Sequence, residues 1–128
     1  MPTIPDTYHY TGNQYKITCY VAPDVVPKVV FEGTMRLKDT EEPPLTELLA
    51  HVIDNTGRGD TVMIDLRKLA FINSRGISVL YKFAINLRNK NVDVNILAVK
   101  QSTWQQATLG NITKLSPDST ITWTETVD

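Results

Sequence analysis

The chain has a single cysteine, Cys19, so an internal disulfide is impossible and no thiolate cluster can hold zinc. It has only two histidines, His9 and His51, too few for a histidine-rich metal site. No metal ligand set and no cofactor is expected. No run of about 18 apolar residues is present, which excludes a helical membrane span. The N-terminus, Met-Pro-Thr-Ile-Pro-Asp, lacks the basic and apolar regions of a signal peptide, and the expected location is the cytoplasm. The tryptophans, Trp104 and Trp123, have no interleaved basic residues, so no direct nucleic-acid contact is expected. Neither Gly-X-Ser-X-Gly nor Ser-X-X-Lys surrounds Ser74, and the expectation is that the protein is not an enzyme.

What is present suits one core: 128 residues, 41% of them hydrophobic. The net charge of −1 conceals a segregation. Asp39, Glu41, Glu42, Glu47, Asp54 and Asp60 are opposed only by Arg58, whereas Arg67, Lys68, Arg75, Lys82, Arg88 and Lys90 follow with no acid among them. Solvated faces explain most such charges one by one. The basic surround of Ser74 as a group favours an anionic partner surface, a phosphate or a lipid headgroup.

Hydrophobic period supplies the elements. Residues 1–14 read as an N-terminal extension, with one possible edge strand over Thr7 to Tyr10, and residues 15–128 as the domain proper. Tyr15, Ile17, Cys19 and Val21 alternate with polar residues as in a half-buried strand. A turn at Pro23-Asp24 leads to a second strand, Lys28 to Leu37, with Gly33 marking a bulge or close approach. Pro43-Pro44 opens a helix carrying Leu45, Leu48, Leu49, Val52 and Ile53 on one face, which ends at the glycines of Asn55-Thr56-Gly57-Arg58-Gly59. Within that stretch Arg58-Gly59-Asp60 is a turn rather than an adhesion signal. Thr61 to Leu66 is a central strand, and the helix after Asn73-Ser74 buries Ile77, Leu80, Tyr81, Ala84 and Leu87. Val92 to Val99, a short helix from Ser102 or Thr103 to near Gly110, and Thr120 to Thr124 complete the order. The fold class is α/β: an opening antiparallel hairpin, then parallel strands in one mixed sheet, with helices packed against it.

The switch from period 2 to period 3.6 falls at Asn73-Ser74, a serine at a strand-to-helix turn. Helix N-termini leave unpaired N–H groups and partial positive charge, so a phosphate added there is well received. Either Asn73 or Ser74 suits the cap. Ser78, Lys82, Asn86 and Asn89 continue the polar stripe from Arg75, and Val79 beside it is either exposed next to Ser74 or packed on a neighbouring helix.

This order, with Asp65-Leu66, Phe71-Ile72, Ser74 and Gly76-Ile77, resembles the STAS domain, named for sulfate transporters and anti-sigma factor antagonists. The family's segment commonly reads Asp-Leu, a few residues, Phe-Met or Phe-Ile, then Asp-Ser-Ser-Gly-Leu. The resemblance implies a stand-alone, bacterial anti-sigma factor antagonist-like protein that regulates transcription by partner switching. Ser74 would be the phosphoacceptor, with Asn73, Arg75, Gly76, Ser78, Val79 and Lys82 at the partner surface. The implied partners are a GHKL-type serine kinase that doubles as anti-sigma factor and a PP2C-type phosphatase. An added phosphate, with Arg75 or Arg67 to receive it, brings about −1.5 to −2 charges and prevents the hydroxyl from being buried in a complex.

Three positions depart from the family pattern. Asn73 replaces aspartate, Arg75 replaces a second small hydroxyl residue, and Gly33 is followed by Thr34-Met35-Arg36 where antagonists often place an aspartate. All three move the surface toward positive charge. They fit a partner with an acidic interface, and equally a binding or scaffold domain without a phosphoswitch that recruits a nucleotide, a lipid headgroup or a transport or sensory complex.

Overall fold

A computed structural model describes residues 6–22, 25–115 and 119–125. The turn expected at Pro23-Asp24 lies outside them. Six strands lie in one sheet in sequential order: β1 (Asp6–Thr11), β2 (Tyr15–Ala22), β3 (Val25–Met35), β4 (Thr61–Ile72), β5 (Asp93–Val99) and β6 (Thr120–Thr124). The first three pair antiparallel, and β3 to β6 pair parallel. Each parallel step needs a crossover, supplied by α1 (Glu42–Asp54), α2 (Ser74–Asn89) and α3 (Thr103–Leu115). The mixed sheet expected from the alternation of periods is thus realised. Residues 6–11 of the N-terminal segment belong to that sheet, paired along β2.

One sheet face is buried under the helices. Ile17, Cys19, Val29, Phe31, Val62, Ile64, Leu66 and Ile96 alternate into it and are at most 1% exposed. They meet Leu45, Leu49 and Val52 of α1 and Leu80, Phe83, Ala84 and Leu87 of α2. Removing these side chains from water supplies the main folding drive. Burial also pushes the Cys19 thiol up to about 12, so the one cysteine is a core residue.

Two elements, β4 and α3, run well past their expected ends. β4 runs to Ile72 rather than Leu66, and its register against β3 slips between Val30 and Glu32 and again between Gly33 and Thr34. Each slip inserts an extra β4 residue, which breaks the alternation that marks a strand in sequence. Where β4 and β5 part after Asp65 and Leu97, the buried Gln105 of α3 fills the gap. Its Nε2 donates to the Leu66 carbonyl at 2.7 Å, and its Oε1 accepts from the Val99 N–H at 2.7 Å. Trp104 Nε1 donates to the Leu69 carbonyl at 3.2 Å. These anchors fix α3, which continues through Gly110 to Leu115. Gly33 has φ +97°, and a Cβ there would lie 2.3 Å from the Gln14 carbonyl oxygen, the close approach its position implied.

Candidate functional site

The motif's strand half is structural. Asp65 projects on the sheet face opposite the helices yet is only 5% exposed, because Arg67 and Lys28 close over it. Arg67 grips both carboxylate oxygens, Nε to Oδ1 at 3.0 Å and Nη2 to Oδ2 at 2.8 Å, and its backbone N–H adds a third bond. Burial by itself would raise the carboxyl's pKa, but the Arg67 hydrogen bonds and charge, with Lys28 behind them, hold it below the ordinary range. Arg67 is therefore committed to Asp65.

The turn half sits beyond the carboxyl end of β4, where α2 begins. Asn73 is the N-cap, with extended backbone, and its Oδ1 accepts from the Gly76 N–H at 3.0 Å. Its Nδ2 donates to the Leu37 carbonyl at 3.0 Å, and its backbone N–H donates to the Met35 carbonyl at 3.0 Å. The two side-chain bonds orient the amide in the same sense, because a backbone N–H needs the oxygen and a carbonyl needs the NH2. Asn73 therefore ties the start of α2 to the exit of β3. Gly76 is buried below it, and a Cβ there would lie 2.7 Å from Ile72 Cγ1.

With the cap held by Asn73, Ser74 is the first helical residue and is exposed. Among the described residues its hydroxyl makes no hydrogen bond, and no acceptor meets the N–H of Ser74 or Arg75. Arg75 Nη1 lies 3.7 Å from Glu42 Oε2 at the start of α1, both side chains partly exposed. A pair so exposed contributes little stability, and its cation can turn to a stronger anion.

Of the expected partner surface, Ser74, Arg75, Ser78 and Lys82 form an exposed stripe along α2, and Asn73 is half-buried at its head. Val79 is 5% exposed and packed, the second of its two expected courses, and Gly76 is likewise beneath the surface. These two shape the site from below and present no side chain outward. Val79, Lys82 and Phe83 line a groove of about 280 Å³ with Glu42, Leu49 and Ile53 of α1.

The partner surface expected from the sequence did not include Arg36, Glu42 or Phe71. Phe71, two residues before the cap, is 41% exposed, and the Arg36 guanidinium lies 5.4 Å from its ring centroid. An aromatic residue just before a serine turn was visible in the sequence, but its outward direction comes from the second β4 bulge. Among the described residues no cluster of histidine, cysteine and acidic side chains could hold a metal, and no helix is long and apolar enough to cross a membrane.

A parallel strand feeding a helix through a capped serine turn, in this sheet order, is the arrangement expected of a STAS-type module. The family model described as the STAS domain matches residues 19–125, and the chain belongs to that family. Among solved structures, it is similar to an uncharacterised protein of the DUF3478 family with a SpoIIAA-like fold from Shewanella loihica PV-4. The TM-score is 0.56 at 16% identity, covering 91% of each chain. A search of curated proteins gives no match. The fold is that of an anti-sigma factor antagonist-like domain, a kind that generally serves as a binding or regulatory module.

Proposed function

We propose that this protein is a partner-switching regulator in which reversible phosphorylation of Ser74 decides which partner is bound. The observation that carries the reading is the uncommitted Ser74 hydroxyl: Asn73 supplies the cap, so capping does not account for the serine. A phosphate on Oγ sits at the positive end of a 16-residue helix beside the unpaired N–H groups of Ser74 and Arg75. It also competes with Glu42 for Arg75. The modified state is locally accommodated, and the change falls on any interface that covers the turn.

Arg75, Ser78 and Lys82 then select the partner, and their charge favours an acidic surface. The partner classes that fit are a GHKL-type serine kinase acting as anti-sigma factor and a PP2C-type phosphatase, with transcription regulation in a bacterial cytoplasm as the setting. Incubation with the cognate kinase and ATP, followed by mass spectrometry of wild type and Ser74→Ala, tests the acceptor. Phosphate on wild type alone is expected, and phosphate on the variant overturns the assignment. Pull-downs with Ser74→Ala and Ser74→Asp test the switch. Opposite behaviour is expected, and identical behaviour would instead indicate a binding or scaffold domain without a phosphoswitch.

A further inference from the structure

Among the described residues, nothing covers the outer edge of β1. The hairpin bond from the Gly12 N–H to the Tyr15 carbonyl, 3.0 Å, sets the bonding parity of the β1–β2 ladder. Counting along the register, Tyr10 with Ile17 and Tyr8 with Cys19 are hydrogen-bonded pairs, whereas Thr11, His9 and Thr7 face Lys16, Thr18 and Tyr20 in non-bonded pairs. The bond from Thr34 N–H to the Gln14 carbonyl, 2.7 Å, independently assigns the even residues of β2 to β3. The backbone N–H and C=O groups of Thr7, His9 and Thr11 therefore point away from the sheet. Among the described residues nothing meets them.

Edge strands are usually guarded by lysine, proline, a bulge or a covering element. β1 reads Asp-Thr-Tyr-His-Tyr-Thr, with no lysine, arginine, proline or glycine, and its register against β2 is unbroken. Its threonines and tyrosines favour strands, and its one formal charge lies at the end.

We propose that β1 is a homodimerisation edge, pairing antiparallel with β1 of a second copy about a two-fold axis through His9. Self-complementarity selects a second copy over an unrelated strand. With His9 opposite itself, Thr7 meets Thr11 and Tyr8 meets Tyr10 of the other copy, and no like charges are opposed. The outward groups then form up to about six backbone hydrogen bonds. Tyr8 and Tyr10, half-buried on the helix side, gain a cross-strand aromatic partner. The contact is isologous and closes at two chains, joining two six-stranded sheets.

Sedimentation equilibrium of the full chain over a wide concentration range provides the test. A reversible monomer–dimer equilibrium is expected. His9→Pro removes an outward N–H that takes no part in the β1–β2 ladder, so it weakens the dimer by at least about 30-fold. The urea midpoint of the monomer stays unchanged. Tyr8→Pro removes an inward N–H and lowers that midpoint. His9→Lys keeps its N–H but opposes two cations across the axis, and decides the matter should His9→Pro unfold. A wild type that stays monomeric overturns the proposal, as does a dimer indifferent to both His9 variants. Growth beyond two chains overturns it as well, because pairing of β1 with β6 of another copy gives an open filament.

Discussion

Replacing Asn73 with the family's usual aspartate should destabilise this protein at neutral pH, although aspartate is as good a helix cap as asparagine. The wild-type amide makes two hydrogen bonds of 3.0 Å, accepting from Gly76 and donating to Leu37. In Asn73→Asp the first persists and becomes charge-assisted, and the carboxylate gains about 0.3–1 kcal/mol from the helix dipole. The second is lost, and a carboxylate oxygen faces the Leu37 carbonyl. A missing bond with an unsatisfied, part-buried carbonyl costs about 1–3 kcal/mol. The net expectation is a loss of about 1 kcal/mol, and Asn73→Ala, which forfeits both bonds, loses about 2–3 kcal/mol. Urea unfolding of the three proteins at pH 7 and near pH 4 is the assay. Toward the lower pH the new carboxyl protonates and its hydroxyl can donate to Leu37, so Asn73→Asp approaches wild type. An aspartate variant equal to or more stable than wild type at pH 7 would refute the idea that the amide ties α2 to the exit of β3.

Two further expectations concern the sheet. Gln105→Leu keeps most of the buried volume but strips the Leu66 carbonyl and Val99 N–H of their partner, and should cost about 2–5 kcal/mol in chemical denaturation. A loss below about 1 kcal/mol would show that water or a backbone shift replaces it. Asp65 has a folded-state pKa held below its unfolded value, so its contribution is fully present above about pH 4 and fades as pH falls through the folded pKa. The stability gap between wild type and Asp65→Asn should therefore narrow in acid below about pH 4, and a gap that widens there would contradict the Arg67 and Lys28 pairing.

Legibility in the sequence followed physical range. β2, α1, the first half of β4, α2 and β5 were readable because their residues alternate, or recur every three to four positions, against one core. The second half of β4 was not, because two bulges there reset which side chains face inward. The end of α3 was misplaced at Gly110, since glycine's intrinsic cost of about 1 kcal/mol is local and the Trp104 and Gln105 anchors to β4 are not. At the candidate site, Ser74 and its basic surround were visible, but the choice of cap was not. Asparagine and serine score alike as caps, and the decision came from the Leu37 carbonyl, which lies 36 residues away along the chain.

By itself the sequence determined the α/β class, the strand-to-helix junction, the segregation of charge and the place of Ser74, because each depends on residue type and short-range period. Tertiary structure alone decided that Asn73 takes the cap and leaves Ser74 uncommitted, that Val79 and Gly76 lie beneath the surface, and that Arg67 is held by Asp65 while Arg75 meets Glu42. It also decided that β1 joins the sheet as an edge strand. These outcomes rest on hydrogen bonds and contacts between elements distant in sequence, whose partners become neighbours only once the sheet has formed.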